Sequence, residues 1–278
     1  MKKILIALPW VFAFLLTGCA TEPPSSLLET AVPAAETKPP EPMESLMAMA
    51  EKVAGADRIS VTLYMGYDVL QDSGQKIAFR EQRRILLNRP GQLRTEALQS
   101  DGDSVLMVFD GKTMSLFKPG ENVYANIEFV GELDSLVRFA INDLGIRVPL
   151  AWMLLSTLPQ DLKKLTKELV YVERDVLDDP ATHHIAGRTD IVDYQFWIGP
   201  DHLPKRIFLT YRNEPGEPQF WAEFADWNLK PKLAESIFTF TPPVGAEQIP
   251  FVIPQKKPVE AKSKTRSPVS KRVQDDEF

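Results

Sequence analysis

The side chains that could bind a metal ion or transfer protons are few in this sequence. Its three histidines are His183, His184 and His202, and the first two are adjacent. We expect this pair on a strand, where neighbouring side chains point to opposite faces. The two imidazoles then cannot bind the same metal ion, and the sequence has no cysteine near them to complete a metal site. We therefore predict no metal site.

The carboxylates that stand close together offer little more. Asp178 and Asp179 precede a proline and indicate a turn. Asp190 and Asp193 lack the second positioned group that general acid–base catalysis needs. The sequence has no Gly-x-Ser-x-Gly elbow, no His-Glu-x-x-His pair, no Walker loop and no Gly-rich dinucleotide fingerprint. We predict no catalytic residue and no cofactor, and keep a hydrolase using Asp193 and a histidine only as a third hypothesis.

Cys19 is the one residue for which the surrounding sequence indicates a specific modification. It is the single cysteine, and two lysines and an apolar run over 4–16 precede it. This order is typical of a secretory signal peptide. The alternative, a transmembrane anchor, is disfavoured because thirteen apolar residues interrupted by Pro9 are too few to span a bilayer.

The segment Leu16-Thr17-Gly18-Cys19 resembles the lipobox of bacterial lipoproteins. The resemblance implies that residues 1–18 are removed and that Cys19 carries diacylglycerol on its sulfur. Multiple acyl chains anchor firmly, because each buried methylene contributes about 0.8 kcal/mol. We expect a lipid-anchored protein of the cell envelope that faces the periplasm. Ala20, where an aspartate would retain an enteric lipoprotein in the inner membrane, favours the outer membrane.

Composition describes the rest of the chain as an ordinary globular protein. Hydrophobic residues make up 44% and charged residues 25% of the sequence. The formal net charge is −6, and loss of Lys2 and Lys3 with the signal peptide would lower it by two, to −8. An acidic chain lacks the basic surface that nucleic acid binding requires, so we predict no nucleic acid partner.

Two unusual segments flank the predicted folded domain, which spans 43–251. Residues 19–42 follow the signal peptide and are rich in proline and glutamate, which predicts an extended tether below the lipidated cysteine. Residues 252–278 carry a basic stretch followed by an acidic end. This composition predicts a solvated disordered tail, or a segment that contacts anionic headgroups or envelope polymers.

The domain reads as a helix followed by many strands. Apolar residues at helical spacing predict a helix over 43–55, and alternation over 59–69 predicts the first strand. Turn residues then recur about every ten positions, as in an antiparallel meander. Two helical runs, 131–147 and 149–158, interrupt the strands midway. The last strand is predicted at 236–241.

We predict a mainly β (α+β) fold, a half-open antiparallel β-barrel of about eleven strands with an N-terminal helix and a midway helical lid. So long a sheet with so few helices must curl to bury its apolar face. Barrels beyond about eight strands are too wide for side chains alone to fill. We therefore expect a cavity under the lid.

The apolar side chains that alternate along the strands, with those of the helical runs, are the candidates for this cavity. They could form ordinary core, a cavity wall for acyl chains, or both, because the inner face of a curled sheet serves as core and pocket at once. The candidates are Leu63, Met65, Phe109, Leu116, Leu136, Phe139, Trp152, Leu155, Tyr194, Phe196, Phe208, Phe220 and Phe224.

Arginines cluster around the second and third predicted strands. They could form a solvated face paired with Glu81 and Glu96, or a patch that docks an acidic partner or a lipid phosphate. The residues concerned are Arg80, Arg83, Arg84, Arg89 and Arg94.

Several segments resemble known families. Residues 89–96 and the hairpin 110–119 are similar to segments of the lipoprotein carriers LolA and LolB. The stretch 58–251 is similar to the predicted periplasmic proteins of domain-of-unknown-function family 2092. That second resemblance rests on His183-His184-Ile185, Trp197-Ile198, Leu203-Pro204-Lys205-Arg206 and the segment 238–246.

The resemblance implies a half-open barrel with a helical lid over a hydrophobic cavity. It also implies a lid-latching role for Arg89, which matches the arginine of the Arg-Pro segment. LolA is soluble, whereas this chain has an anchor as LolB has. Leu93 stands where LolA has an aromatic residue, and the protruding apolar loop of LolB has no recognisable counterpart.

Two main hypotheses follow. The first is a non-catalytic envelope lipoprotein that binds a lipid or acyl-type ligand in its barrel, in lipoprotein or lipid trafficking. The second is a protein-interaction or envelope-stress sensor module that contacts a protein partner through its outer sheet or its basic tail.

Overall fold

The computed structural model describes residues 38–143 and 150–251. Contacts divide the chain into Met1–Lys38 and Pro39–Phe278, so the described residues after Lys38 belong to the second unit. Cys19, most of the predicted tether and the C-terminal tail lie outside the described residues. Within the described residues no helix is long and apolar enough to cross a membrane.

The described residues form one sheet of twelve strands. In chain order the strands are β1 Arg58–Leu70, β2 Lys76–Asn88, β3 Gln92–Gln99, β4 Ser104–Phe109, β5 Thr113–Lys118, β6 Val123–Glu128, β7 Glu168–Asp175, β8 Thr182–Arg188, β9 Val192–Ile198, β10 Pro204–Tyr211, β11 Gln219–Asn228 and β12 Glu247–Gln248. Their order across the sheet is β12-β6-β5-β4-β3-β2-β1-β11-β10-β9-β8-β7. Neighbours are antiparallel, except that β12 runs parallel to β6. The sheet is open, because its two edge strands do not pair with each other.

Alternation along β1 defines the face of the sheet that packs inward. Ile59, Val61, Leu63 and Met65 are buried, while the residues between them are less so. The register extends this face sideways, since Leu63 pairs with Arg83 of β2 on one side and with Phe224 of β11 on the other. We call this surface the core face.

Within residues 38–143 and 150–251, three α-helices accompany the sheet: α1 Pro42–Ala54, α2 Leu133–Asn142 and α3 Leu158–Leu165. A short 3₁₀ segment, Ala151–Leu154, lies between α2 and α3. Proline in the first turn of α1 suits a helix start, because its missing N–H would be unpaired there anyway. The buried residues of these elements join those of the core face in a single hydrophobic core.

The predicted fold class is confirmed: the chain is mostly β, with an open antiparallel sheet and few helices. The strand predicted at 236–241 is wrong. Glu235–Phe238 is a 3₁₀ turn that buries Phe238, and the last strand is the two-residue β12. Phe238 and Phe240 alternate as the residues of a strand do, which predicted the strand. Phe240 instead packs on the rings of Phe117 and Tyr124.

The second helical run was also predicted in the wrong place. The apolar stretch near Trp152 forms only one 3₁₀ turn, and the helix that follows, α3, begins at Leu158. Pro159 in the first turn of α3 explains this start, since proline is tolerated there but interrupts a helix interior.

Candidate ligand cavity

A cavity of about 220 Å³ lies between the core face and the inserted helices. Strands β1 to β5 supply one wall, and α2 with the 3₁₀ segment and Leu150 supplies the other. In the part of the chain that the structure describes, all lining side chains are apolar except Arg83 and Thr95. The lining comprises Leu63, Met65, Arg83, Ile85, Leu93, Thr95, Ala97, Val105, Met107, Met114, Leu116, Leu136, Val137, Ala140, Leu150, Ala151 and Leu154.

The sheet wall follows directly from strand alternation and register. Thr95 of β3 pairs with Ile85 of β2 and with Met107 of β4, and Met107 pairs with Leu116 of β5. These residues therefore form one row across four strands. Methionine is unbranched and flexible, so such a wall can adapt to more than one shape of ligand.

The helical wall depends on the amphipathic pattern of α2. Leu136 and Val137 are buried, whereas Arg138 on the next position is exposed. Ala140 and Ala151 present small side chains to the cavity. Small residues facing the sheet leave space where larger ones would fill the core.

Arg89 holds the elements around the cavity together. Its Nε donates a hydrogen bond to the Ala56 carbonyl at 3.1 Å, and its Nη2 donates to the Leu154 carbonyl at 2.8 Å. Its Nη1 lies 3.8 Å from a carboxylate oxygen of Asp134 in α2. Burial lowers the pKa of Arg89, while the charges of Asp134 and Asp57 oppose that change. The arginine thus links the turn after α1, the start of α2 and the end of the 3₁₀ segment.

Asp134 completes this connection from the other side. Its carboxylate accepts hydrogen bonds from the backbone N–H of Ser156 at 3.1 Å and from the Ser156 hydroxyl at 2.6 Å. Ser156 lies just before α3. One carboxylate therefore joins α2 to the chain segment that leads into α3, in contact with Arg89.

Among the described residues that line the cavity, Arg83 is the one that carries a charge. Its Nε and Nη2 both lie 2.7 Å from Oε1 of Glu81, two residues back on β2. The Glu81 side chain is 8% exposed and that of Arg83 19%. A nearly buried ion pair thus lies on the core face, beside an otherwise apolar space.

The structure sorts the predicted cavity residues into four groups. Leu63, Met65, Leu116 and Leu136 line the cavity. The packed core contains Phe109, Leu155, Tyr194, Phe196, Phe220 and Phe224. Phe139 and Trp152 are partly buried against that core.

Phe208 forms the fourth group. It alternates with the buried Ile207 and Leu209 and stacks near Trp221, so its ring lies on the opposite face of the sheet. Its prediction as a cavity residue does not agree with this placement. Alternation along β10 places Phe208 away from the core face, on which it was expected.

Sequence reasoning missed most of the small and flexible lining residues, including Thr95, Met107 and Ala140. The alternation of every second residue along β3 and β4 could have identified the lining residues of these strands, but large aromatic side chains dominated the prediction. The sequence left two interpretations of the arginine cluster, a solvated face paired with Glu81 and Glu96 or a docking patch, and both place the arginines on one surface. Arg83 and Arg94 do pair with Glu81 and Glu96, but Arg83 lies on the core face and Arg89 binds backbone carbonyls.

The two adjacent histidines point to opposite faces of β8, as predicted. His184 stacks on Trp197 with ring centroids 4.0 Å apart, and its Nε2 lies 3.0 Å from the Gln195 amide oxygen. His183 contacts the Tyr171 hydroxyl at 3.3 Å. Burial lowers the pKa of His183, which favours its neutral form. Over residues 38–143 and 150–251, no cluster of three or more potential metal ligands occurs.

Asp193 is held by arginines rather than placed beside a histidine. Arg188 donates from Nε and Nη2 to its two oxygens at 2.8 and 3.2 Å, and Nε of Arg212 lies 2.9 Å away. The hydrogen bond from Arg188 is the main reason that the pKa of Asp193 is lowered. A carboxylate held in its charged form by two guanidinium groups is a poor general acid.

Comparison with solved structures finds remote likenesses. LprF from Mycobacterium bovis has a TM-score of 0.43 and 13% identity, over 70% of this chain and 96% of that one. The LolA superfamily protein NE2245 from Nitrosomonas europaea has a TM-score of 0.34 and 12% identity, over 72% and 97%. The Pseudomonas aeruginosa MucA/MucB complex has a TM-score of 0.36 and 18% identity, over 72% and 60%. Likenesses this remote say nothing about ligands or partners.

Sequence comparison gives the assignment. None of the curated proteins matches the sequence. The family model described as "Predicted periplasmic protein (DUF2092)" matches residues 43–252, which is the described domain almost from end to end. The chain belongs to this family of predicted periplasmic proteins.

Proposed function

We propose that this protein is a non-catalytic envelope lipoprotein that binds a lipid or other acyl-type ligand in its cavity. The observation that supports the proposal is the cavity of about 220 Å³, whose described lining residues are apolar except for two. An engineered apolar cavity of about 150 Å³ stays dry and binds apolar molecules. A ligand chain would gain about 0.8 kcal/mol of binding free energy for each methylene group that it buries there.

Arg89 acts as the latch of the helical wall in this proposal. It binds Leu154 and approaches Asp134, and Leu154 itself lines the cavity. A ligand enters when the 3₁₀ segment and α2 move away from the sheet, which breaks these contacts. The latch therefore sets how easily the cavity opens.

The proposed anchor is the acylated Cys19, which retains the domain at the periplasmic face of the outer membrane through the 19–42 tether. A cavity held near a bilayer has a local source of acyl chains. This supports a role in lipoprotein or lipid trafficking within the envelope.

The test is native mass spectrometry of protein released gently from membranes, with a cavity-filling variant beside the wild type. Ala140→Phe adds a ring to the cavity wall, and Ile141→Phe adds one at the exposed next position of the same helix. We expect lipid mass on the wild type and Ile141→Phe, and little or none on Ala140→Phe. A wild type that carries no lipid and takes up none from vesicles contradicts the proposal.

A second candidate function, protein interaction, has one observation in its favour. Among the described strands, β7 is an edge strand that pairs with β8 alone, and Val170 and Val172 on it are 56% and 46% exposed. An exposed sheet edge can accept an added strand from a partner. Pull-downs from envelope extracts with Val170→Lys, and separately without residues 252–278, test the edge and the tail as alternatives.

A further inference from the structure

We propose that the Glu81–Arg83 pair is the head-group subsite of the cavity. It selects an uncharged amphiphile, one hydrocarbon chain with an ester and a hydroxyl, over a free fatty acid anion. The inference rests on the proposed ligand-binding function and names the class of ligand.

The position of the pair supports a head-group role. Arg83 lies between Leu63 of β1 and Ala97 of β3, and both neighbours line the cavity. Glu81 is the next core-face residue of β2 and pairs with Met65. Along the same strand, one side of Arg83 faces the apolar lining around Ile85. The other side leads to the free end of the β1–β2 hairpin.

The free end of that hairpin is where a ligand would meet solvent. Phe79 is the next core-face residue beyond Glu81, is 40% exposed and stacks on Tyr67 with centroids 5.8 Å apart. Ile77, one step further, is 39% exposed. Along β2, the core face therefore changes from a buried apolar surface at the cavity, past the Glu81–Arg83 pair, to an exposed surface that includes the Phe79 ring. An amphiphile lying along it has its chain inside and its polar head at the pair.

The hydrogen-bonding capacity of the pair also fits a ligand. Arg83 uses Nε and Nη2 on the same oxygen, Oε1 of Glu81. Within the described residues, Nη1 of Arg83 and Oε2 of Glu81 have no other protein partner. A donor and an acceptor therefore lie side by side at the edge of the cavity. Packing does not require them, because apolar residues of similar volume often replace a buried ion pair without loss of stability.

The charge of the pair decides which head group it accepts. The two charges cancel, so the subsite has no net attraction for an anion. A carboxylate close enough to accept from Nη1 would also lie near the Glu81 carboxylate and be repelled. A neutral head escapes this repulsion, because its ester carbonyl can accept from Arg83 while its hydroxyl donates to Glu81.

Thr95 adds a weaker polar contact on the same wall. It lines the cavity two positions from Ala97, the β3 partner of Arg83, and no described residue hydrogen-bonds its hydroxyl. A hydroxyl can donate or accept, so Thr95 suits a neutral ester or alcohol. Together the three polar residues describe a small head that contains both donors and acceptors.

The experiment compares three probes that share a twelve-carbon chain: monolauroylglycerol, laurate and dodecane. Their binding to the full mature protein is measured by displacement of an environment-sensitive fluorescent probe at pH 8, where laurate is ionised. We expect wild type to prefer monolauroylglycerol to laurate by about tenfold or more, as an unfavourable charge contact predicts. Glu81→Gln removes the repulsion, so we expect it to strengthen laurate binding by a similar factor.

Arg83→Met removes the donor while keeping an apolar stem. We expect it to weaken monolauroylglycerol binding about tenfold and to leave dodecane binding unchanged. Arg94→Met and Glu96→Gln are the matched controls. They alter the ion pair of β3, in which the two residues are also two positions apart and the nitrogen–oxygen distance is 2.8 Å. Both residues alternate along the strand with Leu93, Thr95 and Ala97, which line the cavity. The controls should leave the binding of all three probes unchanged.

The outcomes separate the two claims. Equal binding of laurate and monolauroylglycerol by wild type, or no change in laurate binding on Glu81→Gln, overturns the head-group subsite but leaves the ligand cavity intact. Failure of all three probes to bind overturns both. If Arg83→Met does not fold, as judged by circular dichroism, the wild-type preference and Glu81→Gln still decide the matter.

Discussion

Arg89 shows how much can depend on one side chain. Its guanidinium binds carbonyls of Ala56 and Leu154 and approaches Asp134. Ala56 lies in the turn after α1, Leu154 ends the 3₁₀ segment and Asp134 belongs to α2. The latching role came from the resemblance to lipoprotein carriers, and it is a proposal that the contacts support.

We predict that Arg89→Met destabilises the domain by about 2–4 kcal/mol. Two carbonyl groups lose a charged donor, and Asp134 loses its counter-charge. Urea unfolding followed by tryptophan fluorescence measures the change. Arg84→Met is the control, because Arg84 is an exposed residue of β2, the strand that ends just before Arg89. We expect it to change the free energy of unfolding by less than about 0.5 kcal/mol. An Arg89 variant as stable as wild type would exclude the latch.

Asp193 provides a test that depends on pH. Because Arg188 and Arg212 lower its pKa in the folded state, it contributes stability above the usual carboxyl pKa of about 3.9 and loses it as the pH falls through the lower folded value. We predict that Asp193→Asn is less stable by about 0.5–1 kcal/mol at pH 7. Unfolding measured between pH 7 and pH 2.5 should show this difference shrinking towards zero.

The control for this prediction is Asp72→Asn, in the exposed turn between β1 and β2. Its effect on stability should stay small at every pH. If Asp193→Asn is less stable than the wild type by the same amount at pH 2.5 as at pH 7, the loss of stability comes from packing rather than from charge.

At the scale of elements, the inserted segment is where sequence patterns were least informative. α3 is only eight residues long, with Leu158 and Leu162 as its buried residues. Two buried positions are too few to produce a clear helical period. The strands were easier, because alternation repeats over many residues and the turns between them contain glycine, asparagine or aspartate.

We predict that Leu158→Ala costs about 2–5 kcal/mol of stability, because this side chain is fully buried in the hydrophobic core. Leu165→Ala tests the same substitution in the same helix at a residue that is 51% exposed, with an expected cost below about 1 kcal/mol. Urea unfolding compares the two. Similar costs for both variants would show that α3 contributes through helix formation and not through burial.

At the scale of the whole molecule, we propose that a lipid anchor at Cys19 determines where the domain works. We predict that Cys19→Ser abolishes acylation and moves the protein from the membrane fraction to the soluble fraction, because no covalent lipid then holds it. Ala20→Ser keeps the cysteine and should stay in the membrane fraction. Fractionation with immunoblotting measures both. Membrane retention of Cys19→Ser after a high-salt wash would point to another anchor.

A large part of the sheet could be foreseen from the residues. Alternation over 59–69 placed Leu63 and Met65 on the core face, and the recurring turn residues predicted an antiparallel neighbour after it, which is β2. The cavity itself could not be located in this way. Its volume depends on how far α2 lies from the sheet, and that distance follows from contacts such as those of Arg89 and Asp134, which are distant in sequence.

The sequence by itself determined the strand pattern, the insertion of helices midway and the family of the chain, because these depend on local periodicity and on motifs read along the chain. Only the tertiary structure decided that Arg83 and Glu81 lie beside an apolar cavity, that Arg89 joins three elements and that Phe208 faces away. The physical reason is that burial and charge pairing depend on which strands become neighbours, and register brings together residues that no local pattern connects.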